Sequence, residues 1–440
     1  VDGVASSPPV AGPVVPAPGP VPDGRRGELI RIAGDVFARA GYTRTSLRDI
    51  AAAAGILTGS LYHHFPSKES LAVELISAFH AEVDALALDP RLPGDDPLDD
   101  LVDFADKVGR VAERHRAALM MSMYDAPTTA TDALSKLVNR GLVSLDERWA
   151  VLLEAARAAG RLRPELDLGM LRSVLPTAVL DLVSLAGVDS VRALVDALTS
   201  LLFDGIAATT PAGGAADRSA ELDGSAAARV AREVVASWAE PADAGRGARR
   251  GQILDAARRE FARRGYEATT VRDVAQAAEI RPSSLYRHFA SKQEILDAII
   301  ERYSRLLRAG FEAVVAAPGD ALERLDALMG LMAAAAGRFR AEFAILKDWW
   351  RALDPGVADS PPDDNATRLR LLQGVIDDGV SAGLFTRPAD PAPMALALRG
   401  ALWVPLDDSD PAAVQRRHAF MRLCVLDGAA VRAGRPALRP

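Results

Sequence analysis

An all-α fold is predicted by three features of this 440-residue chain. Nearly half of the residues are apolar (49%), with Ala, Leu and Val dominant and strand-rich stretches scarce. Apolar positions recur at helical spacing, as in Val191, Leu194, Val195, Leu198 and Leu202. A capped pair of short helices around 46–65 also returns, little changed, around 270–289. The length exceeds what one core accommodates, so two or more domains are expected.

Residues 1–24 are dense in Pro, Gly, Val and Ala and are expected to be a disordered tail. A helix over Leu29–Ala40 ends in Gly41-Tyr42. The next opens at Ser46, whose hydroxyl caps it while Asp49 completes a capping box. Leu47, Ile50, Ala51 and Ala54 fall at helical spacing, and Gly55 supplies the left-handed residue that ends the helix. A second helix runs from about Thr58 to Phe65 and stops near Pro66. Two helices joined by a tight Gly-containing turn make a helix-turn-helix. The start of TGSLYHH is small enough for close approach to base edges, and its phenol and imidazoles suit phosphate oxygens. A longer helix is expected over Ala72–Leu88, then helices near 97–115, 117–124, 131–160, 167–186 and 189–207. Residues 209–224 read as linker, the amphipathic Ala226–Trp238 interrupts it, and Pro241–Gly247 reads as linker again.

Then the chain starts over. Arg249–Lys292 aligns with Arg25–Lys68 at a constant offset of 224, without a gap and with 23 identities in 44 positions. The same offset carries Arg163-Pro164 onto Arg387-Pro388 and Met170 onto Met394. The order is reader, helical body, linker, reader, helical body. Although the net charge is −7, Arg25–Lys68 holds seven Arg and Lys against three acids. A basic face on an acidic body is an electrostatic footprint of DNA binding.

T-S-L-R-D-I-A followed by G-I-x-x-G-S-L-Y-H-H-F-x-S-K resembles the DNA-binding domain of TetR-family bacterial transcription regulators, in detail over residues 25–72. The remainder resembles the family in being helical and of about the right length. The resemblance implies two complete units: helix-turn-helix domains over 25–72 and 249–296, helical regulatory and dimerisation domains over 73–208 and 297–435, and a linker over 209–248. It implies that Arg48, Thr58, Gly59 and Ser60 face base edges, a guanidinium suiting the O6/N7 edge of guanine. Tyr62, His63, His64 and Lys68 are placed for phosphates. Arg272, Ser283, Ser284, Tyr286, Arg287, His288 and Lys292 stand in the corresponding places of the second reader.

That second reader departs from the pattern. Glu279 replaces the turn glycine, so a non-Gly residue is expected at positive φ, at a cost of roughly 1 kcal/mol. Pro282 replaces Thr58, which the first turn of a helix tolerates, and Arg281 replaces Leu57. The family's usual capping Ser is missing there in both repeats. Unequal half-site preferences are expected.

Single-unit relatives dimerise through their last two helices. By that resemblance, the faces around Met170–Leu185 and Val191–Leu202 are expected to pair with those around Met394–Leu406 and Val414–Val431 within one chain. The chain would be a pseudo-dimer on a pseudo-palindromic double-stranded DNA operator; a homodimer with four readers is the competing arrangement. The resemblance further implies a repressor released by a small molecule. Phe104, Met120, Met123, Tyr124 and Trp149 in one body, and Phe339, Phe343, Trp349 and Trp350 in the other, are the candidate pocket residues. Such stripes are more often core than pocket, and the effector they suit is apolar or amphipathic. Because the two stripes differ, binding in one body only is expected.

No nucleophile elbow or paired acid/base constellation points to an enzyme, and no phosphate loop or nucleotide fingerprint points to a cofactor. His63 and His64 project about 100° apart on a helix and do not form a metal site. No uncharged apolar run of membrane-spanning length and no leader pattern occurs, so a soluble cytoplasmic protein is expected. Cys424, in MRLCVL, is expected to be a buried thiol. The alternative function is a ligand-binding or interaction module whose readers no longer recognise DNA. Glu279 favours it for the second half; Arg48, Thr58, Tyr62, His64 and Lys68 oppose it for the first.

Overall fold

The computed structural model describes residues 24–40, 42, 45–89, 94–122, 132–138, 140–185, 191–205, 207, 215–238, 246–266, 268–343, 345–346, 364–386, 391–402, 404 and 410–428. A three-helix head, α1 (Arg25–Ala40), α2 (Leu47–Ala53) and α3 (Thr58–His64), leads through α4 (Lys68–Ala87) into the first body. That body continues with α5 (Pro97–Arg114), α6 (Arg116–Ser122), α7 (Asp132–Val138), α8 (Val143–Ala158), α9 (Leu168–Leu185) and α10 (Val191–Asp204). Next come α11 (Ala215–Gly224) and α12 (Ala226–Ser237), then a second head of α13 (Arg246–Arg264), α14 (Val271–Ala277) and α15 (Pro282–Leu285). The second body holds α16 (Lys292–Val315), α17 (Ala321–Arg338), α18 (Asp364–Ser381), α19 (Pro391–Leu402) and α20 (Pro411–Arg422), which runs into a π-helical turn at Leu423–Asp427. Among the described residues there is no strand; Ala207 and Phe385 form an isolated antiparallel bridge.

Local sequence sets the helix starts. Ser46 and Thr270 cap α2 and α14 with reciprocal bonds to Asp49 and Asp273, and Ser67 and Ser291 cap α4 and α16. α5 and α17 both begin one residue after a capping aspartate, Asp96 and Asp320. The expected single helix over 131–160 is two, α7 and α8. Gly141 lies between them at φ 67°, a conformation that interrupts a helix.

The expected linker over 209–224 also differs, because α11 occupies its second half. Tertiary contacts override its loop-like composition. Leu222 and Arg218 are buried, and the Arg218 guanidinium pairs with the buried Asp427 carboxylate. α12 lies against α16 and α17, burying Ala227, Ala228 and Ala231. A Cβ on Gly310 of α16 would stand 3.1 Å from both Val234 and Leu331, so glycine lets the three helices close. Trp238, at the end of α12, is buried with its ring 5.0 Å from that of Phe339. This segment therefore contributes to the second core.

The halves meet through α9 and α10, which pack on α19, while α10 also touches the π turn. Gly205 (φ 72°) and Gly428 (φ 82°) follow the two terminal helices. A Cβ on Gly205 would lie 2.5 Å from the Gly428 nitrogen, and one on Gly428 would collide with the Phe203 carbonyl. Positive φ and backbone-to-backbone crossing together require glycine at both positions. Around the crossing, Ala207 N donates to Leu426 O at 3.1 Å, and Arg163 donates to Gly428 O at 2.6 Å and Asp427 O at 3.2 Å.

Within the second unit, Asp326 of α17 is wholly buried and accepts bonds from Arg422 Nε at 2.7 Å and His418 Nε2 at 3.1 Å. Arg422 also reaches Asp223 of α11 at 2.8 Å. Cys424 is buried, and burial pushes its thiol up. No described helix is long and apolar enough to cross a membrane.

Candidate nucleic-acid interface

Each head is built on a turn whose backbone is fixed locally. In the first, Gly55 sits at φ 64° and Ile56 N returns to Ala51 O at 3.0 Å, closing α2. In the second, Ile280 N returns to Ala275 O at 2.9 Å, and Glu279 takes φ 55°, the only non-glycine with positive φ among the described residues. The capping carboxyl Asp49 is held below its ordinary range by the side-chain bond from Ser46, then by the backbone bond, and Asp273 likewise by Thr270.

Leu61 and Phe65 of the first head, and Leu285 and Phe289 of the second, are buried and anchor the outer helix to the other two. That anchoring turns the rest of α3 outward. Arg48, Gly59, Ser60, Tyr62 and His63 are exposed, Tyr62 by 54%, while Thr58 and His64 are half-buried at its margins. Arg272, Ser283, Tyr286 and Arg287 are exposed in the second head, Tyr286 by 55%, with Ser284 and His288 half-buried. The predicted DNA-facing residues of each head are thus exposed or half-buried, Lys68 and Lys292 among the half-buried.

Those two lysines have another first partner. Lys68 Nζ donates to Tyr42 O at 2.8 Å and lies 4.4 Å above the Tyr42 ring; Lys292 does the same to Tyr266, at 2.7 and 4.2 Å. Burial holds the Lys68 ammonium below its ordinary pKa. The ammoniums tie the start of α4 and α16 to the second residue after the first helix of each head.

Sequence reasoning overlooked Arg26 and Arg250. Arg26 donates to His64 O and pairs with Glu74, its guanidinium 4.3 Å above the Phe65 ring. Arg250 donates to His288 O at 2.7 Å and lies 4.0 Å above Phe289. Arg26 thereby holds the last residue of α3, and Arg250 holds the turn that follows α15. Their identity across the 224-residue offset was the available signal. Leu57 was also passed over: it is 80% exposed at the N-cap of α3, where an apolar side chain can meet a thymine methyl.

The outer helices differ in length. α3 is helical to His64, whereas after Leu285 the chain tightens: Arg287 N bonds Ser284 O at 3.3 Å and His288 N bonds Leu285 O at 2.8 Å, both i−3.

Of the candidate pocket residues, Phe104 and Trp149 are wholly buried, edge to face at 4.8 Å, and fill the first core. Met120 is half-buried on α6. Phe339 and Phe343 both pack on Tyr303, at 5.2 and 5.8 Å. Met123, Tyr124, Trp349 and Trp350 lie outside the described residues. Among the described residues no cluster of three metal-ligating side chains occurs.

The family model for bacterial regulatory proteins of the tetR family matches twice, at residues 29–75 and 253–299. The HTH-type transcriptional repressor KstR2 of Mycobacterium tuberculosis is 33% identical over 157 residues, 36% of this chain and 78% of that protein. KstR2 of Rhodococcus jostii is 35% identical over 167 residues, 37% and 82% of the two chains. The solved structure of the ketosteroid transcriptional regulator KstR2 of Mycobacterium tuberculosis shares 29% identity with 38% of this chain and 86% of its own, at a TM-score of 0.35. The chain belongs to the TetR family, a DNA-binding transcriptional regulator that carries the family's helix-turn-helix twice.

Proposed function

We propose that the chain acts as a repressor in which one polypeptide presents both readers to a pseudo-palindromic operator and is released by a small molecule. The observation that carries this reading is the packing of α9 and α10 on α19 and the π turn, including the Gly205–Gly428 crossing. Arg48, Thr58, Gly59 and Ser60 address base edges in one half-site and Arg272, Ser283 and Ser284 in the other. Tyr62, His63 and His64, with Tyr286, Arg287 and His288, bind phosphates and set register. The domain limits 25–72, 73–208, 249–296 and 297–435 belong to the same reading, with 215–238 assigned to the second body rather than to a linker. Support for regulation over catalysis comes from relatives that are transcriptional repressors.

Light scattering on the free protein and on DNA selected from a random pool tests this. A 46.6 kDa particle, unchanged on dilution and binding one duplex per chain, is the expected result. Twice that mass on a longer, four-part site would replace it with a homodimer carrying four readers.

A further inference from the structure

The second head meets its body through an ion pair that has no counterpart at the same place in the first unit. Arg258 of α13 donates from Nη1 to Oε1 of Glu342 at 3.2 Å, and Glu342 sits in the segment 340–343 that follows α17. Glu342 is 7% exposed, and its other oxygen, Oε2, is buried without a hydrogen-bond partner. Asp255, one turn earlier on α13, stands 3.7 Å from the same guanidinium. Among the described residues, Arg302 and Tyr303 of α16 and Arg338 of α17 also face the pair. Arg338 donates to Trp238 O at 3.4 Å.

The first unit closes the same junction with small apolar groups. The 224-residue offset places Gly34 of α1 opposite Arg258 and Ala118 of α6 opposite Glu342. Ala118 is wholly buried, and a Cβ on Gly34 would make ordinary contact with Leu75 at 3.4 Å and Ala117 at 3.8 Å. That contact carries no charge and does not titrate. A buried ion pair, by contrast, does no better for stability than good apolar packing as a rule. Burial pushes the Glu342 carboxyl up, and Arg258 and then Arg338 offset only part of the rise. The folded protein therefore takes up this proton more readily than the unfolded chain, and stability falls as pH rises through the raised value. Stability does not account for a carboxylate at this junction; control of the head does.

We propose that Arg258 and Glu342 form a proton-operated latch on the second reader alone. With the carboxylate ionised, α13 is held to 340–343 and the reader is set for its half-site; a proton taken up from solvent by Glu342 breaks the pair and loosens that reader. α13 packs on α14 and α14 on α15, so the constraint passes to the outer helix. Both residues act through the head and are positioning residues. The inference needs the second head to read DNA, and needs neither ligand release nor the one-chain pseudo-dimer.

Fluorescence anisotropy of the full chain on a duplex selected from a random pool tests this, from about pH 4.5, near an ordinary glutamate pKa, to about pH 8. Glu342→Gln keeps the shape and removes the charge. It should bind about fivefold more weakly than the unaltered chain at the alkaline end and equally at the acid end, an ordinary coupling between two sites. Taking the ratio at each pH cancels His63, His64 and His288, which both proteins carry. The unfolding transition should be retained in Glu342→Gln. Arg258→Gly combined with Glu342→Ala, which installs the first unit's residues, should behave in the same way and serves if the single variant does not fold. On a duplex whose second half-site is scrambled, the ratio should be one throughout. A ratio of one at every pH on the intact duplex, a loss that does not vary with pH, or the same loss on the scrambled duplex would overturn the latch. Tyr286→Ala separates the two readings. If it leaves affinity unchanged, the second head does not read DNA and the latch falls with it; if it weakens binding while Glu342→Gln does not, the latch alone is overturned.

Discussion

Gly55 closes α2 at φ 64° and Glu279 closes α14 at φ 55°, with the same return bond from the following isoleucine. Around these turns the struts from Arg26 and Arg250 and the ties from Lys68 and Lys292 recur with nearly the same distances. The outer positions are mixed: Arg281, Pro282 and Arg287 stand where Leu57, Thr58 and His63 do, whereas the exposed Arg48 and Tyr62 recur as Arg272 and Tyr286. The inner bonds are thus retained even where one residue pays in backbone strain, while the outer face keeps some residues and changes others. That mixture, and not a uniformly altered exterior, distinguishes the two readers.

The largest test concerns a network with no counterpart in the first unit, where Val102 stands at the place of Asp326. Asp326→Ala leaves Arg422 and His418 facing an apolar gap and should destabilise by about 3–5 kcal/mol in denaturant unfolding. Burial alone would raise the Asp326 carboxyl, but bonds from His418 and Arg422 outweigh it and hold the pKa below the ordinary value. Its stabilisation is therefore full above the unfolded carboxylate pKa and lost as pH falls through the lower folded value. Asp326→Ala should lack that part of the acid-side decline.

Smaller effects address the readers themselves. Tyr62→Ala and Tyr286→Ala should each weaken operator binding about tenfold in a gel-shift titration, a contact to a charged phosphate being worth about 1.5 kcal/mol or more. Scrambling one half-site should silence one of the two variants and leave the other intact. Glu279→Gly should stabilise the second head by about 1 kcal/mol, whereas Gly55→Ala should destabilise the first by a similar amount, read from thermal unfolding. Arg287→Gln should lower the salt slope of DNA binding by about one.

Features fixed within a few residues were legible in the sequence: the Ser46–Asp49 and Thr270–Asp273 boxes, the left-handed Gly55 and the strained Glu279. So was the exposed face of each outer helix, because Leu61 and Phe65 at helical spacing fix which side turns inward. Long-range partners were not legible. Arg26 acts on residues 38 and 48 positions away, Lys68 on one 26 away, and local pattern does not register such distances. α11 was missed because its helicity depends on Arg218 meeting Asp427, 209 residues later.

The crossing of Gly205 and Gly428 has a consequence for how this protein can change over generations. In a symmetric homodimer, any substitution beside the axis confronts its own copy, so both sides must accept the same novelty at once. Here the two sides are encoded at separate positions, and an alteration near one glycine can be answered by a different alteration near the other. The seam is free to become a lock with distinct halves.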